Sequence, residues 1–163
     1  MFGGDSKLSI HRHTPYERKE PGKRYINIFR SPRNVVGSWL KFTKQDITPV
    51  NYIQAIPDLI KEMSTYSGWL SGKSKDVLNV KFEELLTAKK TLKNVAKFIG
   101  KTEKHNHFKN IWGGTPTFTG SPFIWRDHWT PAIEYTWVLN GGEVLENTWG
   151  YDPHKIWLRK KQI

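Results

Sequence analysis

Apolar and polar residues alternate through Arg24-Tyr-Ile-Asn-Ile-Phe-Arg30, the period of a β-strand. Pro32 follows at once, a favoured first helical residue, and Val35, Val36, Trp39 and Leu40 then recur at helical spacing as far as Phe42. Residues 50–70 carry a second helical stripe, Ile53, Ile56, Ile60 and Met63, with a kink expected at Pro57. A Gly/Ser/Lys loop over 71–75 leads to a second strand, Val77-Leu-Asn-Val-Lys-Phe82. Beyond it Leu85, Ala88, Leu92, Val95, Ala96 and Ile99 predict one continuous helix, ended by Gly100. Residues 101–129 are loop-rich and aromatic. Thr130-Pro131 reads as a cap and first turn, opening a helix to about Leu139 that is interrupted at Gly141-Gly142 and resumes to Trp149. Strands alternating with helices predict an α/β fold: a short parallel sheet flanked by helices.

Composition adds bounds to that pattern. A chain of 163 residues fits a single domain, 1–163, with an irregular start (1–23, containing one short β-prone run at Leu8–Ile10), an α/β core (24–100) and an aromatic loop with carboxy-terminal helices (101–163). Eight Trp, eight Phe and six Tyr supply enough ring surface for a packed core and argue against disorder. There is no cysteine, which removes disulfides and thiolate metal sites. The first ten residues lack the apolar run of a signal peptide, and no apolar stretch reaches the roughly 18 residues of a membrane span. The expectation is a soluble, cytoplasmic protein without membrane partners. Lys plus Arg number 26 against 15 Asp plus Glu, a formal charge of +11 spread along the chain, which favours anionic partners such as nucleotides.

The segment Tyr25-Ile-Asn-Ile-Phe-Arg30-Ser-Pro-Arg33-Asn34-Val-Val-Gly-Ser38-Trp39 resembles the 3'-phosphate-binding segment of the sulfotransferases that use 3'-phosphoadenosine-5'-phosphosulfate (PAPS) as donor. The resemblance puts Arg30 and Ser38 on the two positions that bind the 3'-phosphate. A guanidinium at a strand end suits that task through paired hydrogen bonds, and the following helix start adds donors; Asn34 shares the face of Ser38. Val77–Gly100 resembles the family's strand, Tyr-Glu-Asp-Leu turn and helix, which puts Phe82 at the adenine-contacting position. Tyr66-Ser-Gly-Trp69-Leu70, Gly120-Ser-Pro-Phe-Ile-Trp125-Arg-Asp-His-Trp129-Thr130-Pro131 and the final Gly150-Tyr151 resemble further family stretches in the same order. The implied fold is a partial P-loop-like sulfotransferase fold, with PAPS or its product PAP as co-substrate. For Arg30 the plain alternative is a surface residue at an ordinary strand–helix junction.

The chain also departs from the family. No Pro-Lys-Ser-Gly-Thr-Thr loop for the 5'-phosphosulfate precedes Arg30, so the first strand–loop–helix is missing and the chain is expected to be inactive alone. A partner chain, or a second copy, would then complete the sheet. Gly3-Gly4-Asp5-Ser6-Lys7 imitates the loop poorly, and Gly72-Lys73-Ser74 leads into a strand where a Walker A loop would follow one. Of the family's Arg-Lys-Gly stretch only Gly120 is kept, its Arg and Lys falling on Phe118 and Thr119.

His11-Arg12-His13-Thr14-Pro15 resembles the family's Lys-Thr-His-x-Pro stretch, which implies that His13 is the base taking the acceptor's proton. The alternative is surface histidines in an irregular start. His11 and His13, with His105 and His107, form two His-x-His pairs of a kind that more often decorates loops, and no metal site is expected. Three readings follow. The first is sulfuryl transfer from PAPS to a hydroxyl or amine. The second is a non-catalytic assembly protein reusing the fold. The third, nucleic-acid binding through bulk charge, has no recognition motif behind it.

Overall fold

The computed structural model describes Tyr16 and residues 20–72, 74–100 and 124–152. Strand β1 (Tyr25–Phe29) runs into helix α1 (Pro32–Phe42) through Arg30 and Ser31, with Pro32 at the first helical position. Helix α2 (Pro49–Thr65) is capped by Thr48, whose side chain accepts from the Asn51 N–H at 3.3 Å. Pro57 lies inside α2 on its exposed side, where the lost backbone bond faces solvent. A short α3 (Gly68–Ser71) leads to β2 (Val77–Lys81), followed at once by α4 (Phe82–Thr87) and α5 (Lys89–Phe98). After a 3-10 turn at Ile124–Asp127 come α6 (Pro131–Leu139) and α7 (Gly142–Thr148). Thr130 caps α6 by accepting from the Ile133 N–H, and Gly141, at φ +82°, makes the left-handed turn between the last two helices.

The described residues are therefore mixed α/β, mostly helical, with one two-stranded parallel sheet. Its register pairs Tyr25 with Val77 and Phe29 with Lys81. One face of the sheet presents Ile26, Leu78 and Val80 to a small cluster with Leu85, Leu92 and Val95 of α4 and α5. On the other, Phe29 meets Trp149 and Tyr151 edge-on and joins the main core, built from α1, α2, α6 and α7. Leu40, Ile56 and Ile133 are fully enclosed there, each contributing about 1.5–3 kcal/mol relative to exposure.

One expectation from the apolar stripe is corrected. The helix predicted after β2 is two helices, broken at Ala88, whose extended backbone (φ −115°, ψ 105°) swings α5 back toward β2. Ile99, placed on that stripe, is exposed. Among the described residues no helix is long and apolar enough to cross a membrane, and no group of three or more His, Cys, Asp or Glu could hold a metal.

Candidate functional site

Both strands run the same way, so their carboxyl ends lie side by side, the place where open parallel sheets present ligand-binding residues. The residues that step off those ends are Arg30 and Phe82. The Arg30 guanidinium carbon lies 5.0 Å from the centroid of the Phe82 ring, and its Nη1 donates to Ser38 Oγ on α1. Burial holds the Arg30 pKa below its ordinary value, while the charge of Glu83 and the nearby Tyr151 pull it back up. An arginine so placed keeps its charge at neutral pH. Arg30, Ser38 and Phe82, separated by as much as 52 positions in the sequence, thus form one cluster.

A second polar knot lies beside it. Glu83 Oε1 accepts from the Ser31 N–H at 3.0 Å and from Asn34 Nδ2 at 3.3 Å, and its Oε2 accepts from the Tyr151 hydroxyl at 2.7 Å. Burial, then the negative charge and hydrogen bond of Glu83, push the Tyr151 phenol well above its ordinary pKa. Lys81 donates to the Gly150 carbonyl at 2.6 Å and sits 4.6 Å from the Tyr151 ring centroid, closing the carboxy-terminal turn onto β2. Asn34, expected to share the phosphate-facing side with Ser38, is instead fully buried and turned to Glu83. His13 and Gly120, together with His11, His105 and His107, lie outside the described residues.

The third feature was not legible in the chain. Arg33, 1% exposed, is enclosed by the rings of Trp129, Trp125 and Trp137, whose centroids are 4.8, 5.2 and 5.5 Å from its guanidinium carbon. Its Nε and Nη2 donate to the two oxygens of Glu146 at 2.9 and 3.1 Å, while Nη1 and Nη2 donate to Glu134. Trp137 Nε1 donates to Glu146 at 3.1 Å, and Trp129 Nε1 donates to Glu134. Burial works against the charge on Arg33, yet the bonds and charges of Glu134 and Glu146 outweigh it and raise its pKa. Burial also raises Glu146, with Arg33 and Trp137 pulling against it. The one available signal was Glu146 itself: it shares a helical stripe with Gly142, Leu145 and Trp149, and a carboxylate in an apolar stripe requires a buried partner.

Chemically the two arginines differ. Arg33 is saturated by two carboxylates. Arg30 meets a hydroxyl and a ring, an arrangement that a phosphate and a planar base could both join. No protein-family model, curated protein or solved structure matches the chain.

Proposed function

We propose that Arg30 and Ser38 hold the 3'-phosphate, and Phe82 the adenine, of a PAPS-class nucleotide, and that the chain is a sulfotransferase-family protein with a partial P-loop-like fold. The observation that carries this reading is the convergence of Arg30, Ser38 and Phe82 at the carboxyl ends of two parallel strands. The reaction is in-line sulfuryl transfer: the bond from sulfur to the donor's 5'-phosphate oxygen breaks, a bond to an acceptor hydroxyl or amine forms, and His13 takes the acceptor's proton. No residue described here is assigned to the 5'-phosphosulfate, so a partner chain or second copy is proposed to serve that end. Calorimetric titration with PAP, with AMP as the control lacking the 3'-phosphate, tests the reading. PAP is expected to bind at least about tenfold more tightly, a difference of about 1.4 kcal/mol. Equal affinities, or none, would contradict it.

A second reading, a non-catalytic assembly role, is favoured by one observation. Tyr135, Val138 and Leu139 of α6 and Val144 of α7, all within one stretch of ten positions, leave large apolar side chains exposed. That reading predicts an apparent mass rising with concentration in sedimentation, reversed by Leu139→Lys. A concentration-independent monomer that turns over PAPS would exclude it.

A further inference from the structure

Helix α1 begins at the carboxyl end of β1, where backbone N–H groups left over by the helix and the positive end of its dipole favour an anion. An anion from the protein already sits there. The Glu83 carboxylate collects the Ser31 N–H, the Asn34 amide and the Tyr151 hydroxyl, donors from two distant parts of the chain, at 2.7–3.3 Å. Ser31, the residue before α1, makes no side-chain cap; its hydroxyl oxygen is buried without a hydrogen-bond partner, so the junction holds polar capacity beyond what Glu83 uses. Glu83 also follows Phe82 directly, and its charge acts on Arg30.

We infer that Glu83 is a built-in competitor for the anion this site takes. Its carboxylate takes the Ser31 N–H and the Asn34 amide beside the start of α1, so a phosphate held by Arg30 and Ser38 would meet a negative charge where those two donors would otherwise serve it. Holding Phe82 beside Arg30 and repelling a second negative charge are then two results of one contact. The inference deepens the nucleotide reading and rests on it for the identity of the natural ligand, but its test needs no nucleotide.

The test is a melting experiment on the chain and on its Glu83→Ala and Glu83→Gln variants, with inorganic phosphate or with chloride at matched ionic strength. Both variants are expected to melt below the parent. Phosphate should then raise their melting temperatures by several degrees more than the parent's, because binding to the folded state alone stabilises it. A gain no larger than the parent's in the variants would overturn the inference and leave Glu83 a structural tie. If Glu83→Ala does not fold, Glu83→Gln, which keeps the side chain's volume, carries the same comparison. Variants that respond to phosphate while the parent ignores PAP would sink the nucleotide reading and sustain the role of Glu83; PAP binding without that response would do the reverse.

Discussion

Arg30 and Arg33 stand three positions apart at one strand–helix junction, yet they live in opposite surroundings. Arg33 is walled in by three indoles and satisfied by two carboxylates that arrive from helices over 100 positions away. Arg30 stays half-buried, against a hydroxyl one helix away and an aromatic ring from the neighbouring strand's end. The difference sets a guanidinium locked inside the core beside one placed at the carboxyl ends of the strands. The buried Glu146 and the partly exposed Glu134 together more than balance Arg33's charge, so it ties α1 to α6 and α7. Arg30 feels the charge of Glu83 and contacts Ser38 and Phe82, and its taking an anion is the proposal made above.

The largest effect should come from breaking the enclosed arginine. Arg33→Ala leaves Glu146 buried without its cation, and losing one member of a buried pair costs about 3–5 kcal/mol. Urea unfolding should show this as a large drop in midpoint. A loss no greater than that of a surface substitution would mean the network adds nothing. Next is the wall of the cage. A Cβ on Gly142 would come within 2.1 Å of the Trp137 ring, so Gly142→Ala should cost roughly 1–3 kcal/mol by overpacking, measured in the same way.

The same region should respond to alkaline pH. Tyr52, fully enclosed against Trp129, has its phenol pushed up to about 12 by burial, whereas in the unfolded chain it ionises near its ordinary 10.0. The folded state therefore holds this proton longer. Stability is intact below about pH 10 and falls as pH rises toward 12, by on the order of 2 kcal/mol. Tyr52→Phe should reduce that fall without abolishing it, since Tyr151 also holds its proton above the ordinary range, and it removes a hydroxyl that is buried without a hydrogen-bond partner. Urea midpoints from pH 9 to 11 would check it. The smallest stability effect belongs to Arg30→Ala, expected within about 1 kcal/mol of the parent, since Arg30 is half-buried and its contacts include a hydroxyl and a ring rather than a buried carboxylate pair.

The strand–helix junctions were legible because local chemistry dictates them. Alternation marks β1, Pro32 fixes the first turn of α1, and Thr130-Pro131 starts α6 where the chain says it should. The break at Ala88 was not, because alanine is a strong helix former and the backbone there answers to the packing of α5 on β2. The cluster of Arg30, Ser38 and Phe82 was legible only through the resemblance, which put all three on parts of one nucleotide where spacing alone gives no reason to bring them together. The Arg33 cage was hidden for a related reason. Its partners are separated in sequence by 101 and 113 positions, and the carboxylate in an apolar stripe announced a buried cation without saying which one.

The central claim, that one arginine builds the fold and the other receives the ligand, is tested most directly by titrating Arg30→Ala with PAP beside the parent chain, after a urea midpoint close to the parent's has shown the fold intact. The account predicts that the parent binds PAP in preference to AMP and that the variant loses this preference. Undiminished PAP affinity in a folded Arg30→Ala variant would contradict it.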